Sequence, residues 1–514
     1  MALRRSIPTP SYPTRCLQFL KHLQNDSSVN GVNGIHGKNE INGHSMNGHS
    51  PNDHGAAAGS NGVQQAAIPL SIIIVGAGLG GLAAAIALAR RGHSVTVLEQ
   101  APEMGEVGAG IQIPSNSSRL LLKWGLGPLL GNKVVEPEGM SFRRWQDGTK
   151  IAYTKLVPEF RENFDAPYYV VHRAHFHEAL YQRALELGVA VIVNSKVDAY
   201  DAERATVLVM DGKSYTGDLV IAADGVKSLG RQAILKENDQ PPTKTGFAAY
   251  RATVDIKKMK AAPELAWLIE KPSLNIWIGE GRHVMTYTIA AGKSFNMVLS
   301  HVDNSDPATW RPETTIQDMR NSFEDWDPQL VKVIHMIDKA LKWPLISGTP
   351  LTTWTAPSGR VIMLGDAAHA MVPYMSQGAA MAVEDGAAIG EVLNFIQSRD
   401  QLPLALEVFE QVRMKRSYQM QEASLLNGRL WHFADGPEQR ARDKATRAEV
   451  EGRHFFSSAN QWSDPVTQWW AYGYDAEEEV AKAWNERTMG MALLSKNGHS
   501  SVQVKGSYVN GKIR

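Results

Sequence analysis

A glycine-rich turn near residue 76 has the residue types and spacing that hold a phosphate group. An apolar run at 71–75 reads as a buried strand, and it leads directly into Gly76, Gly78 and Gly81, spaced as G-x-G-x-x-G, with a helical pattern behind them. In such a turn the first glycine makes the bend, the second lets the backbone approach a pyrophosphate, and the third permits close packing of helix on strand. By itself, the motif is weak evidence for a dinucleotide site.

An acidic residue at the end of the next predicted strand strengthens this interpretation. Glu99 follows a strand pattern at 94–98 and lies eighteen residues after Gly81, where a carboxylate can accept hydrogen bonds from the hydroxyl groups of an adenosine ribose. The same negative charge would repel the 2′-phosphate of NADP. The two motifs together therefore favour FAD or NAD as the bound cofactor.

A second strand with an acidic residue at its end decides between these two cofactors. Residues 360–364 read as a buried strand that opens into Gly365 and Asp366, and an alanine- and glycine-rich helical pattern follows from about residue 376. An Asp at a strand end can accept hydrogen bonds from the ribityl hydroxyl groups of a flavin, and a helix starting near Gln377 would direct its positive end at the pyrimidine ring. A simple dehydrogenase needs no such element, so these residues favour FAD.

Composition and charge exclude several other classes of protein. The 514 residues include one cysteine, Cys16, which rules out a disulfide framework and a CxxC zinc or dithiol site. The chain has 53 Lys and Arg residues together and 53 Asp and Glu residues together, so its formal net charge is zero. No net positive charge therefore favours the binding of nucleic acid. The uncharged stretch 66–89 is long enough to span a membrane, but its central glycines and its strand-then-helix pattern argue against a span. We expect two or three subdomains.

The two ends of the chain are polar. Residues 29–62 repeat Asn-Gly units with scattered Ser and His, and such a segment buries too little apolar surface to offset its ordering entropy. We therefore expect a disordered leader at 1–66 and a flexible tail at 495–514. The leader's four histidines are irregularly spaced, so we expect them to be incidental and predict no metal site.

Three motifs in this order resemble the fingerprints of the single-component FAD-dependent aromatic hydroxylases, the salicylate hydroxylase-like group A flavoprotein monooxygenases. The resemblance rests on the glycine turn with Glu99, on Asp224-Gly225 after a strand pattern at 218–223, and on Gly365-Asp366. It continues through residues 106–111, 172–173 and 384–385, and so covers nearly all of the chain between the two polar ends.

The resemblance implies an α/β fold in which a Rossmann-like FAD-binding domain is assembled from separated stretches of chain. A β-sheet substrate domain is inserted between them, for which strand patterns at 246–255, 274–279, 283–291 and 296–301 provide the sheet. The implied boundaries are 67–245 and 351–430 for the FAD-binding domain, 246–350 for the substrate domain and 431–494 for C-terminal helices.

The resemblance also implies which residues contact FAD. The implied contacts are Gly76, Gly78 and Gly81 at the pyrophosphate, Glu99 at the ribose, Ala109 and Arg173 elsewhere on FAD, Asp366 at the ribityl chain, and the backbone of Ala379 at the isoalloxazine ring. The family associates Asp224 and Gly225 with both FAD and a transiently bound NADPH or NADH. Since no His or Cys gives a specific signal for a covalent link, we expect FAD to be held noncovalently.

Two further residues are candidates for chemistry on the substrate. A phenol reacts better as its phenolate, so a nearby cation or hydrogen-bond donor is useful because it lowers the phenol pKa. Arg251 and Tyr287 stand on predicted strands at positions where an Arg and a Tyr act on the substrate in similar hydroxylases. The chain departs from the family pattern in having Tyr-Thr for Tyr-Pro, and Ala370 and Ser376 beside the flavin loop. The alternative is that Tyr287 packs in the sheet and Arg251 pairs with a carboxylate.

These inferences predict an FAD-dependent monooxygenase that uses NADPH or NADH and dioxygen to hydroxylate an electron-rich aromatic or polyketide-derived phenol, in secondary metabolism or aromatic catabolism. Three alternatives stay open: epoxidation of an indole alkaloid, a flavin oxidase or dehydrogenase that inserts no oxygen, and a non-catalytic FAD-binding protein. The expected partners are a small aromatic molecule and dioxygen, without nucleic acid or a membrane span. The protein is expected to be a cytoplasmic monomer or homodimer.

Overall fold

The computed structural model describes residues 63–105 and 108–497, with side chains up to residue 490. Most of the predicted leader and tail, residues 1–62 and 498–514, lies outside this range. Within it, Ala66 is buried and its backbone N–H donates to the carbonyl of Arg91. The chain therefore packs onto the fold before residue 67.

Five parallel strands form the central sheet, and most of their residues are buried, as their continuous apolar runs predict. In spatial order they are Val361–Met363, Leu219–Ala222, Ser71–Val75, Ser94–Leu98 and Ala190–Ile192. The strands that precede the glycine turn, Asp224 and Gly365 are thus three neighbours. Their carboxyl ends meet at one edge of the sheet.

Two helices that begin at this edge pack against each other at very short range. They are Leu79–Ala89, after the glycine turn, and Gly378–Asn394. A Cβ on Gly386 would lie 2.8 Å from the backbone nitrogen of Ala84, so only glycine permits this approach. The close contact holds the start of each helix in a fixed position relative to the other.

A second, seven-stranded sheet lies beyond the carboxyl edge of the central one. Its strands, in spatial order, are Ala340–Ser347, Thr243–Asp255, Ser294–Val302, Arg282–Ile289, Leu274–Gly279, Gly139–Arg144 and Lys150–Lys155. Neighbours are antiparallel except for the parallel pair formed by Leu274–Gly279 and Gly139–Arg144. The last two strands come from outside the predicted segment 246–350, because a local pattern marks a strand but not the sheet that it joins.

Both faces of the seven-stranded sheet are buried. Alternate residues point to opposite faces, so Met285 and Tyr287 pack with the long helix Leu402–Trp431, whereas Val284 packs with residues of Thr315–Ser322 and Pro328–His335. Two smaller antiparallel sheets complete the strands: Gly110–Ile113, Tyr169–His172 and Val134–Val135 in one, and Val197–Asp201, Thr206–Val209 and Ser214–Thr216 in the other.

The α-helices of the described residues run as follows: Leu79–Ala89, Ser115–Lys123, Gly127–Leu130, Glu159–Phe164, Arg173–Glu186, Leu229–Leu235, Ile256–Lys260, Trp267–Glu270, Thr315–Ser322, Pro328–His335, Asp366–His369, Gly378–Asn394, Leu402–Trp431, Pro437–Ala445, Arg447–Val450, Pro465–Tyr472 and Ala476–Asn497. Within the part of the chain that the structure describes, no helix combines the length and apolar character needed to cross a membrane. The predicted α/β fold with a parallel sheet, a second β-sheet and C-terminal helices is confirmed.

Candidate active site

A cavity of about 330 Å³ lies between the carboxyl edge of the central sheet and the seven-stranded sheet. Such an edge is where open α/β sheets bind ligands. Seven of the twelve predicted site residues line it: Gly78, Arg173, Gly225, Arg251, Tyr287, Asp366 and Ala379. The fold therefore brings together residues spread over about 300 positions of sequence.

Gly76 and Gly81 do not line the cavity, and they shape the turn behind it. Gly76 has a φ of +101°, and a Cβ there would meet the carbonyl oxygen of Ala223 at 2.4 Å; a Cβ on Gly81 would meet the oxygen of Gly76 at 2.0 Å. Gly78 differs, because nothing lies within 4 Å of the position of its Cβ. Two of the glycines thus permit the bend, and the third leaves open space beside the backbone.

Glu99 is held beside the glycine turn rather than in the cavity wall. One carboxylate oxygen accepts from the N–H of Ala77 and the other from the N–H of Ala101, each at 2.8 Å. Each carboxylate oxygen can accept a further hydrogen bond. Glu99 therefore fixes the turn and keeps acceptor capacity for a ribose hydroxyl group.

Asp224 shapes the turn that ends at Gly225, and it has one oxygen to spare. Its Oδ2 accepts from the hydroxyl of Tyr200 and from the backbone N–H groups of Leu229 and Gly230, at 2.9–3.0 Å. Its Oδ1 is buried and has no partner among the described residues. A buried acceptor without a partner fits a site completed by a ligand.

Ala109 and Arg173 lie opposite each other at one end of the pairing between the strands Gly110–Ile113 and Tyr169–His172. The backbone N–H of Arg173 donates to the carbonyl of Ala109 at 3.1 Å, and Arg173 begins the helix Arg173–Glu186 at the cavity. Ala109 is buried and borders an adjoining cavity of about 280 Å³, which shares Arg251 with the first one. Ala109 therefore does not line the first cavity, but its carbonyl oxygen fixes the backbone of Arg173 there.

Asp366 and Ala379 stand in the first turns of two helices that begin at the cavity. The longer helix, Gly378–Asn394, has no side-chain cap and no acidic residue in its first turn, so its first N–H groups remain available to a ligand. The shorter one is fixed by His369, whose Nε2 lies 2.6 Å from Oδ2 of Asp385. The same oxygen accepts from the N–H of Gly365 at 3.0 Å, which orients the strand end that carries Asp366.

Tyr287 is buried against the strand that follows Ala109. A Cβ on Gly110 would lie 2.4 Å from Cε2 of Tyr287, and the N–H of Gly110 donates to Oδ1 of Asn296, the cross-strand neighbour of Tyr287, at 2.6 Å. Burial raises the pKa of the Tyr287 hydroxyl well above its usual range, although Arg251 and Gln112 act in the opposite direction. Tyr287 is therefore a neutral hydrogen-bonding group at neutral pH.

Arg251 lies in the cavity wall without a carboxylate partner among the described residues. Its strand neighbour is Val298, whose other neighbour is Met285, so the three side chains form one row across the sheet. Burial lowers the pKa of Arg251, Tyr287 raises it and Arg173 lowers it. An arginine stays charged under such conditions, so Arg251 offers a positive charge to whatever occupies the cavity.

Several side chains of the cavity wall escaped the sequence analysis, among them Gln112, His283, Met285 and Trp431. Gln112 is buried, accepts from the hydroxyl of Tyr168 and donates to the sulfur of Met285. His283 and Met285 could have been found, since they precede Tyr287 by four and two residues on one strand and thus share its face. Gln112 and Trp431 reach the cavity through contacts that no local pattern marks.

Comparisons with known proteins identify the family to which the chain belongs. A protein-family model described as an FAD binding domain matches residues 70–424. The chain is 36% identical over 411 residues to the FAD-dependent monooxygenase OpS4 of Beauveria bassiana (strain ARSEF 2860), covering 79% of this chain and 96% of that protein. It is 34% identical over 417 residues to 3-hydroxybenzoate 6-hydroxylase 1 of Aquipseudomonas alcaligenes, covering 80% and 99% respectively.

Solved structures share the fold as well. A structure of CtdE in complex with FAD and its substrate 4 has a TM-score of 0.68 and 25% identity, covering 83% of this chain and all of that one. A salicylate hydroxylase substrate complex has a TM-score of 0.65 and 25% identity, covering 81% and 98%.

The residues around the cavity fit FAD. The open space beside Gly78 lets a pyrophosphate approach the backbone, the spare Oδ1 of Asp224 can accept from a ligand donor, and the uncapped start of Gly378–Asn394 can face a pyrimidine ring that carries negative charge. With the match to the family model and to full-length relatives, these features place the chain in the FAD-binding domain family, as a member of its FAD-dependent monooxygenases.

Proposed function

We propose that the protein hydroxylates an electron-rich aromatic compound, with a phenol as the substrate class and NADPH or NADH as the reductant. The observation that carries this proposal is Arg251, a cavity-wall cation with no carboxylate partner among the described residues. When bound, FAD supplies oxidation of the nicotinamide and activation of dioxygen.

The role proposed for Arg251 is to favour the anionic form of the substrate. A nearby positive charge lowers the pKa of an acid, typically by 1–3 units, and a phenol that starts near pKa 10 then ionises closer to neutral pH. Phenolate oxygen donates electrons to the ring and makes its carbon atoms better nucleophiles. Arg251 would thereby prepare the substrate to react with an electrophilic oxygen.

Tyr287 and Gln112 are proposed to fix the orientation of the substrate. Tyr287 is held in place by its contact with Gly110 and remains protonated, so it can donate one hydrogen bond in a defined direction. The carbonyl oxygen of Gln112 is held by Tyr168 and one of its amide N–H groups by Met285, so the second N–H is the one proposed to donate to the substrate. Positioning of this kind supports reaction at one ring carbon.

Most of the remaining wall of the substrate half is apolar, which supports exclusion of water. Met285, Val298, Met371 and Trp431 contribute side chains without charge. A dry cavity protects reactive oxygen species from decay before they reach the substrate.

Oxygen incorporation tests the proposed function directly. The purified protein is incubated with NADPH or NADH and ¹⁸O₂ in the presence of 3-hydroxybenzoate, other phenols and indoles, and the products are analysed by mass spectrometry. We expect a phenol to accelerate nicotinamide oxidation and to gain one ¹⁸O atom. An oxidised product without ¹⁸O would indicate an oxidase or dehydrogenase, an indole product with ¹⁸O would indicate epoxidation, and no stimulation by any compound would favour a non-catalytic protein.

The proposal also covers the setting of the reaction. Relatives named as a fungal FAD-dependent monooxygenase and as a bacterial hydroxybenzoate hydroxylase support secondary metabolism or aromatic catabolism. We further propose that the protein acts in the cytoplasm as a monomer or homodimer, with no nucleic acid partner.

A further inference from the structure

Two histidines meet at the end of the cavity where Trp431 forms the wall. Nδ1 of His283 lies 2.8 Å from Nε2 of His432, which immediately follows the helix Leu402–Trp431. The ring centroids are 5.1 Å apart and the ring planes differ by 23°. The nitrogen–nitrogen distance plus two ring radii accounts for this separation, so the rings meet edge to edge, nearly in one plane, as a directional hydrogen bond requires.

Aromatic side chains hold both rings in place. Trp431 and Tyr374 contact the His283 ring edge to face, with centroids 5.0 and 5.2 Å away. The His432 ring lies parallel to Phe247 at 5.0 Å. With Nδ1 engaged by His432, Nε2 is the polar atom of His283 that remains for a ligand, and His283 lines the cavity.

His283 stands at the opposite corner of the sheet surface from Arg251. Arg251, Val298 and Met285 occupy one cross-strand row, and His283 precedes Met285 by two residues on the same strand. The backbones of His283 and Arg251 are therefore separated by two interstrand distances across the sheet and by two residues along a strand, which together amount to about 12 Å. A single substituted aromatic ring can reach both side chains.

The histidine pair carries no charge at neutral pH. Burial lowers the pKa of His283 well below its usual range, and His432 lowers it further. Burial, assisted by the charge of Arg442, lowers the pKa of His432 to about 4. When Nδ1–H of His283 donates to Nε2 of His432, Nε2 of His283 is left as an acceptor; a hydroxyl group can donate to it, whereas an ether has no hydrogen to donate and a carboxylate finds no charge to balance its own.

We propose that His432 is a positioning residue of the substrate cavity, which holds His283 so that Nε2 binds a neutral hydroxyl group of the aromatic substrate at the corner opposite Arg251. The proposal rests on the proposed function, and it adds that the substrate has a second oxygen substituent. Arg251 takes an anionic oxygen, which is the phenolate in the proposed substrate class and a carboxylate in the probes named below, and the histidine pair selects a hydroxyl group over an ether or a second carboxylate.

Binding to the oxidised, FAD-loaded protein tests this proposal without turnover. The probes are 3-hydroxybenzoate, 3-methoxybenzoate and isophthalate, and their dissociation constants are obtained from changes in the visible absorption of FAD. We expect 3-hydroxybenzoate to bind at least about fivefold more tightly than either of the others, as the loss of one hydrogen bond predicts. Binding of none of the three, or equal binding of all three, overturns the proposal.

Substitutions then assign the selectivity to the pair. In His432→Leu the preference for hydroxyl over methoxy should fall to about onefold, and His432→Gln, which can still hydrogen bond with His283, should restore most of it. His283→Leu should also abolish the preference for hydroxyl over methoxy. The double variant His283→Leu/His432→Leu should show no larger loss of this preference than His283→Leu alone, because the two residues act as one unit. His301→Leu is the matched control, since His301 is also buried and stacked on a ring but lies outside the cavity.

Several outcomes would contradict a positioning role. Equal weakening of all three probes in His432→Leu would assign His432 to packing alone, and an unchanged preference would show that His283 needs no partner. If His432→Leu loses FAD, the preference for hydroxyl over methoxy is compared between His432→Gln and the wild-type protein, and this comparison tests the proposal instead. Because no NADPH, NADH or turnover is involved, a protein that shows the predicted selectivity but forms no ¹⁸O product would refute the proposed function and not this one.

Discussion

Tyr287 lies so close to Gly110 that a Cβ on the glycine would come within 2.4 Å of Cε2 of the tyrosine ring and 2.8 Å of its hydroxyl oxygen. Ring and glycine belong to different sheets, so this contact joins the small sheet of Gly110–Ile113 to the seven-stranded one. The position of the Tyr287 hydroxyl in the cavity therefore depends on the absence of a single methyl group.

Gly110→Ala should displace the Tyr287 ring while leaving FAD bound. We expect a loss of about 1–3 kcal/mol in the free energy of unfolding from overpacking, and a fall of about 10²-fold in product formation because a small misplacement at a catalytic group has a large effect on rate. Unfolding and product assays on the same preparation provide the measurement. Gly490→Ala, where nothing lies within 4 Å of the new methyl group, is the control. Unchanged product formation would mean that the ring position is unimportant.

Arg251→Ala should retain FAD and lose product formation by about 10²–10³-fold, the usual effect of removing a charge that faces developing charge. Without the cation, the phenol pKa returns towards about 10, so the remaining activity should rise with pH further into the basic range than in wild type. The measurement is kcat/KM for a phenol against pH, with hydrogen peroxide release as a readout of misplaced substrate. The exposed Arg311→Ala is the control. An effect below about threefold would leave Arg251 with a packing role.

Glu99→Gln and Asp366→Ala should each weaken FAD binding. Glu99 accepts from Ala77 with one oxygen and from Ala101 with the other, and a glutamine amide has a single oxygen to accept with. We expect the free energy of FAD binding to weaken by an amount on the order of 1–3 kcal/mol, as for a lost hydrogen bond to a charged group. Titration of the apoprotein with FAD measures this change. Glu103→Gln, an exposed acid in the same loop, should behave as wild type. Equal affinity in all variants would remove both residues from the FAD site.

Heating or acid treatment should release intact FAD from the protein. The described residues around the cavity include no cysteine, and their one histidine, His283, stands beside Trp431 in the part of the cavity proposed for the substrate. Chromatography of the supernatant identifies the flavin. Flavin that stays on the denatured chain, or release of FMN, would contradict the noncovalent FAD assignment.

Asp385 should stabilise the protein in a pH-dependent manner. Burial raises its pKa, but His369, Arg413 and the N–H of Gly365 lower it to about 2. Since the unfolded value is about 3.9, the stabilisation is complete above about pH 4 and is lost as the pH falls towards 2. Asp385→Asn should lower the free energy of unfolding at pH 7 by about 2 kcal/mol or more.

The stability difference between wild type and Asp385→Asn should narrow below pH 4, because the unfolded wild-type chain then binds a proton at Asp385 while the folded protein still holds the carboxylate charged. Thermal unfolding between pH 3 and 7 measures this difference, with the exposed Asp325→Asn as the control. A difference that stays constant over this range would show that the pKa of Asp385 is not lowered.

The sequence predicted those features that are encoded locally. The glycine turn, Glu99 and the strand before Asp366 each depend on a few consecutive residues, and the fold and family that they indicate are confirmed. The roles of individual site residues stay predictions. His432 could not be predicted, because its contact with His283 spans 149 residues and the end of a long helix gives no signal of what it faces.

The seven-stranded sheet also limits how this protein can be divided or recombined. Its strand Leu274–Gly279, buried throughout, is flanked on one side by Gly139–Arg144, which the chain contributes more than 100 residues earlier. A chimera that exchanged only residues 246–350 would pair the 274–279 strand of one parent with the 139–144 strand of the other, so the buried side chains across this pairing would no longer match. An exchange of substrate preference between relatives therefore has to carry 139–155 together with 243–347, as two separate segments rather than one.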